Sequence, residues 1–506
     1  MLSRSQWSSQ HAAHLISRAG FGGSPEDISQ LSKLPMDQAV RRIVHYEDQP
    51  DYGKDPEWTR LDGSNLKQLK EIRKLPEKER REKFKELRRE SRRNLASLKS
   101  WWLDRMLKSN RPLEEKMTLF WHGHFVSSSD KVKNALMLWQ QNRLLREKST
   151  GNFEDLTVAI GRDPAMLVYL DGSGSKKAAP NENYARELME LFTLGEGNYT
   201  EEDIKEAARA FTGWNVRRFQ GKAKFNQRNF DSKEKSFFGQ SGNYKDSDIV
   251  AIIFEQDRAA EYIAHKLWEF FAYKNPEQEI VSSLAETLRN NKYELKPVLE
   301  EMFTSKAFYS QKAMRTQIKS PIMWFASLSR LLDLSPIPSR ASTQMLAQLG
   351  QDLFNPPSVK GWDGGRAWIS TTTLIMRNNL AHLMVFGGNP NKLGIGAANR
   401  LKNIPQNILD DMSEEQKKRL EIVQKRSSKR NIPSLFKDFD LLDLWESESE
   451  ANRLNLLSNT VYNSSLRAQS LAEIRSESEE FLRNPKAQGL KSTLYQMIAH
   501  PEFQLC

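Results

Sequence analysis

Three short stretches of the chain hold side chains whose types and spacing could do chemistry. The first is Phe120-Trp121-His122-Gly123-His124-Phe125, which sets two of the eight histidines two positions apart. On a regular helix such residues point about 200° apart, so His122 and His124 reach one metal ion only if the helix ends there. Otherwise one imidazole is a hydrogen-bonded core group and the other faces outward, and a functional role for at least one is the competing reading. No HExxH pattern accompanies them. The second stretch, residues 181–194, places Tyr184, Leu188 and Leu191 on one helical face and Asn183, Glu187 and Glu190 on another. Glu187 and Glu190, three residues apart, suit metal ligation or paired acid/base work. Arg186 lies four residues from both Glu182 and Glu190 and offers the plain alternative of helix ion pairs. A Glu-x-x-His motif of the di-iron bundles is absent.

The third is a loop, Asn355-Pro356-Pro357-Ser358-Val359-Lys360-Gly361-Trp362-Asp363-Gly364-Gly365-Arg366-Ala367-Trp368. Its prolines stiffen the backbone, its glycines permit tight turns, and Trp362 and Trp368 with Asp363 and Arg366 could face a polar ring such as a sugar. Tryptophans in a rigid loop equally well plug a core. Glycine-rich phosphate cradles are missing: residues 20–23 and 172–174 lack the spacing and the flanking strand.

The elements that must position these groups read mostly as helices, because apolar residues recur at three- and four-residue intervals between glycine and proline breaks. The fold class expected is therefore all-α, with many helices. Pro112 opens a segment running to Phe125. Asn181 precedes a helix from Glu182 to Leu194, stopped by Gly195, and Thr200 with Asp203 forms a capping box for a helix from Glu201 to Thr212. Later helices are expected at 258–273, 321–332, 342–352 and 371–386. The exception is an excursion at 214–238, where Val216, Phe219 and Phe225 flank Gln220-Gly221-Lys222, read as a small β-hairpin. Composition turns more polar after Gly387-Gly388, so the expected organisation is a main helical domain over 1–387 and a polar helical region over 388–506.

Charge is concentrated. Lys and Arg number 76 and Asp and Glu 65, a net +11. Residues 67–108 hold 16 basic and 7 acidic side chains, a local +9, which leaves +2 elsewhere. Phe84, Leu87, Leu95, Leu98, Trp102 and Met106 fit one helical face there, with Ser91 filling the missing step, so a long basic helix with a buried stripe is expected over 76–108. Its charged face is either solvated or the seat of an anionic partner; interrupting glutamates and the lack of a recognised motif make nucleic acid the weaker partner. A single cysteine, Cys506, excludes intrachain disulfides and thiolate metal clusters. No run of 18 apolar residues points to a transmembrane segment, and no signal peptide is visible, so the default expectation is a cytoplasmic protein.

These blocks, with His14-Leu15-Ile16-Ser17-Arg18-Ala19-Gly20-Phe21-Gly22, residues 207–214, residues 350–370 and Pro501-Glu502-Phe503-Gln504, make the chain resemble a bacterial family called domain of unknown function 1800 over nearly its full length. The resemblance implies a predominantly helical protein without an established reaction, often encoded beside a sulfatase-like family, domain of unknown function 1501. The family's motifs fall on His122, His124, Asn181, Glu182, Arg186, Glu187, Glu190, Trp214, Trp362 and Arg366. Family members often carry His-Asp ahead of a Lys and a Gly in the mid-chain excursion, whereas this chain has Phe230-Asp231, then Lys235 and Gly239.

Three functions follow as expectations. The first is a binding or assembly protein acting with the sulfatase-like partner on an anionic or sugar-containing envelope material, which would place it in an exported or envelope setting. The second is a metal-assisted hydrolase or oxidase with a His/Glu pocket and a divalent cation as cofactor. The third is nucleic-acid binding through the basic helix.

Overall fold

A computed structural model describes residues 6–60, 71, 72, 74–217, 220–332, 339–389, 414, 434, 436, 439–462 and 466–506. The expectations for Phe219, for most of the charged stretch at 414–430 and for Lys67, Lys70 and Arg73 lie outside these residues. The described chain is predominantly helical and forms two compact units, one built from Pro35–Ala313 with Asp352–Asp363, the other from Ser5–Leu34, Met314–Gln351 and Gly364–Cys506. Among the described residues no helix is long and apolar enough to cross a membrane.

In the first unit the basic helix runs Glu77–Lys108. Pro76 caps it, Glu77 and Glu79 occupy the first turn, and Arg105 and Lys108 the last, so its charges oppose the helix dipole at both ends. At 1.5 Å per residue it is about 48 Å long. The expected stripe is buried only over its C-terminal half, at Leu98, Trp102 and Met106, where the helix packs on Pro112–His124 and Ala135–Glu147. Phe84, Leu87, Ser91 and Leu95 are half-buried. Periodicity sets which side of a helix is apolar, but only a neighbour removes that side from water.

The capping box of Thr200 and Asp203 starts the helix Glu201–Ala210. The segment after Asn181 is not one α-helix: Glu182–Glu187 is α-helical and Leu188–Thr193 is a π-helix. The mid-chain excursion holds two antiparallel hairpins where one was expected. Strand β1 (Trp214–Arg217) pairs with β2 (Lys222–Phe225), Trp214 opposite Phe225. Strand β3 (Lys235–Phe237) pairs with β4 (Gln240–Gly242). The second hairpin turns through Phe238 and Gly239, both at positive φ, the geometry that matches the twist of short paired strands. Its three-residue strands are too short to show alternation in sequence.

The second unit assembles Ser9–Ala19, Pro25–Ser32, Pro321–Leu331, Ser339–Gln348, Thr371–Phe386, Phe439–Ser447, Glu450–Tyr462, Ala468–Leu482 and Ala487–Ala499. Ser320 caps Pro321–Leu331 with Pro321 at its first position, and Ser370 caps Thr371–Phe386 through Thr373.

Candidate functional site

His122 and His124 close the helix Pro112–His124, both buried, and their ring nitrogens are engaged in opposite senses. Phe354 N–H donates to His122 Nε2 at 3.1 Å, which fixes that nitrogen as an acceptor. His124 Nε2 donates to the Phe192 carbonyl at 3.0 Å. Trp102, Phe354 and Trp362 surround the first ring, and Phe120, Trp121, Phe125, Phe153 and Phe192 the second. Burial in these aromatic cages holds both imidazoles neutral: the pKa of His122 is pulled down to about 3, chiefly by desolvation and then by Lys99, and that of His124 is well below its ordinary value, with Lys266 adding to the desolvation.

The rigid loop is joined to this helix end. Gly361, at φ +83°, lies where a Cβ would come 2.3 Å from the Gly123 carbonyl oxygen, so only glycine lets the two backbones meet. Half-buried Trp362 then reaches the His122 ring at 5.7 Å between centroids. Asp363 is exposed, and its carbonyl accepts from Lys274 Nζ at 3.4 Å. Arg366 and Trp368 belong to the second unit; Trp368 is buried against Gly350 and Arg366 is exposed.

Glu187 and Glu190 flank the entry to the π-helix. Its wide turn displaces Glu190 from the expected i, i+4 position over Arg186, which instead makes two 2.8 Å bonds to Glu201 and a looser 3.7 Å contact with Glu182. Tyr199 O–H donates to Glu190 at 3.0 Å. Burial and then the Glu190 charge raise the Glu187 pKa, against the pull of Arg186 and Lys360. Side chains donate to carbonyls of this segment: Thr193 Oγ1 to Leu188, Tyr262 O–H at 2.8 Å and Lys266 to Leu191, and His124 to Phe192. His124 is thus tied to the segment that carries the carboxylates, yet among the described residues no hydrogen bond or ion pair joins either histidine to Glu187 or Glu190. Among those residues, too, no group of three or more His, Cys, Asp or Glu could hold a metal ion.

The remaining predicted residues organise backbone. Asn181 caps its helix through Asn183 N–H and donates to the Asp171 carbonyl at 2.8 Å. Trp214 donates to Asp246 at 3.2 Å, whose carboxylate also takes two bonds from Arg162. Asp231 binds Arg209 at 2.9 Å, and buried Lys235 donates to the carbonyls of Asp231 and Lys233.

A different site lies along the basic helix. Lys85, Arg88, Ser91, Arg92 and Leu95 form one wall of a cleft of about 850 Å³, and residues 129–138 form the other. Ser91 ties the walls together, donating to the Lys133 carbonyl at 3.3 Å and accepting from Ala135 N–H at 3.2 Å. Lys85, Arg88, Arg92 and Lys133 line the cleft against one acidic residue, Asp130, and its floor is aliphatic, with Leu95, Val132, Met137 and Leu138. These four cations are exposed and have no ion pair among the described residues, whereas Arg81 and Lys83 on the same helix are paired with Glu77 and Glu86. Lys133, held at φ +53°, escaped the sequence reading because it belongs to a different element.

A family model described as Protein of unknown function (DUF1800) matches residues 14–505. No curated protein and no solved structure matches the chain.

Proposed function

We propose, for a chain that belongs to the DUF1800 family, a binding or assembly role in which the cleft of the basic helix engages an anionic, sugar-containing polymer, together with a sulfatase-like partner of the domain of unknown function 1501 family. The observation that carries this reading is the set of four cations, Lys85, Arg88, Arg92 and Lys133, lining one cleft with a single carboxylate. Cations without local partners leave a positive potential that attracts and steers a polyanion. The cleft offers no aromatic side chain, and stacked bases are what single-stranded nucleic-acid grooves commonly add to their charge. A polymer of repeating carboxylate or sulfate groups therefore suits it better than nucleic acid. The partner rests on the family resemblance alone.

Fluorescence titration of the full chain with dextran sulfate, polygalacturonate, neutral dextran and single-stranded DNA tests the reading. Saturable binding to the anionic polysaccharides that weakens as salt rises supports it. Preference for DNA, or equal binding to neutral dextran, overturns it.

A second reading has its own observation. Glu187, with its raised pKa, stands beside Glu190 at the mouth of a π-helix, an arrangement common where carboxyls act as acid and base. That enzyme would be a hydrolase, and Glu187→Gln would abolish its turnover while leaving polymer affinity unchanged.

A further inference from the structure

The second unit holds a cavity of about 90 Å³ whose lining includes Arg315, Lys319 and Cys506. Arg315, Lys319, His14, Ser17 and Tyr462 face it, and no Asp or Glu does. Lys319 is 8% exposed, and among the described residues its ammonium has neither a hydrogen bond nor an ion pair; it lies over the ring of Phe503, 4.0 Å from the centroid. Two more buried cations stand close behind. Arg377, fully buried, donates to Gln504 Oε1 at 2.8 Å and to the Lys319 carbonyl at 2.9 Å. Arg18, 1% exposed, donates to Gln317.

Against these charges stand Glu502, which Arg315 holds at 2.8 Å and which also accepts from Ser470, and the negative charge that Cys506 brings near Lys319 and Arg18. A buried ammonium without a hydrogen-bonding counterpart is expensive. The backbone around it is nonetheless fixed: Lys319 N–H donates to the Gln504 carbonyl at 2.8 Å, and Arg377 holds the Lys319 carbonyl. The stem is locked while the head faces empty volume.

From this geometry we infer that the cavity is a binding site for a small oxyanion, with Lys319 as its principal charge partner and Arg315 as its second. Its size, at roughly 10–15 Å³ per water molecule, admits several waters or one phosphate-sized group and excludes a polymer, so it is distinct from the cleft of the basic helix. Burial, with Arg315 and Arg377 nearby, lowers the Lys319 pKa to about 8, the direction expected for an ammonium removed from water.

The test uses the full chain, with phosphate, sulfate and acetate as probes and chloride at matched ionic strength as the control. Thermal-shift and calorimetric titrations are expected to show saturable binding of a tetrahedral anion, phosphate or sulfate, lost by about tenfold or more in Lys319→Met, in keeping with the strength of charge-assisted bonds. Acetate binding instead would assign the site to a carboxylate ligand. No saturation by any of the three beyond chloride overturns the inference. Because Lys319→Met could fail to fold, wild-type protein is also treated with an acylating reagent and mapped by mass spectrometry. The bound anion should slow modification of Lys319 selectively, and modification at an unchanged rate overturns the site.

Discussion

Gly361 shows how narrowly single residues are specified here. A methyl group at this position would stand 2.3 Å from the Gly123 carbonyl oxygen, and the backbone is at φ +83°. Gly239 has a similar φ of +75° but open space around it. Gly361→Ala should therefore destabilise the protein by roughly 1–3 kcal/mol more than Gly239→Ala, since both variants carry the left-handed backbone penalty and only one adds a clash. Chemical denaturation of both variants checks the difference. The two histidines make a second prediction at this scale. Their native pKa values are depressed from 6.5, that of His122 to about 3, so below pH 6.5 the unfolded chain binds protons that the folded chain refuses. Stability should fall as pH drops from about 6.5 towards 3, by up to ~1.4 kcal/mol per pH unit for each histidine. Replacing His122 by Gln should flatten part of that slope; an unchanged slope would show that His122 is not held neutral. The His122–His124 spacing suggested one core imidazole and one facing outward; both are buried, in cages that could not be foreseen because Phe354 and Phe192 lie far off in sequence.

Among the elements, the long helix divides into two parts with different tasks. Its C-terminal part is anchored by a fully buried carboxylate, Glu115, which takes bonds from Arg105, Arg146 at 2.9 and 3.0 Å, and Trp102 Nε1 at 2.9 Å. Glu115→Gln would remove the carboxylate that pairs with buried Arg146 and one of three that pair with Arg105, the others being Asp51 and Glu114, and should destabilise by about 3–5 kcal/mol. Arg81→Gln, which breaks an exposed pair with Glu77, should change stability by less than about 1 kcal/mol. Thermal melts distinguish the two. Caps, proline positions and helix dipoles were legible because they are local, which is why Thr200 with Asp203 and Pro112 marked helix starts. The π-helix was not legible: Leu188–Thr193 has an ordinary helical pattern, and three of the four side chains that donate to its carbonyls, Tyr262, Lys266 and His124, come from elsewhere in the chain. Arg186 pairs with Glu201 and Glu182 rather than Glu190, which accepts from Tyr199.

Over the chain as a whole, net charge is unevenly distributed. The sequence located the excess on one helix, and the structure sorts its arginines: Arg88 and Arg92 line the cleft, while Arg89 and Arg93 are exposed outside it. The burial of Arg18, Lys319 and Arg377 was missed, although Arg377 gave a signal as the one Lys, Arg, Asp or Glu within the helix Thr371–Phe386. The boundary expected after Gly387-Gly388 abuts residues outside those described, and the two compact units are each assembled from separated stretches of chain, which no linear composition shift reveals. A polyanion bound in the cleft differs from general electrostatic attraction in depending on which charges of the helix are present. The most direct measurement is the affinity of two charge-matched variants for dextran sulfate at fixed salt: Arg88→Gln with Arg92→Gln, and Arg89→Gln with Arg93→Gln. Both lose two positive charges from the same helix. Loss of about tenfold or more in affinity for the first pair, with a several-fold smaller loss for the second, is the predicted result; equal losses, or none, would contradict the cleft as the binding site.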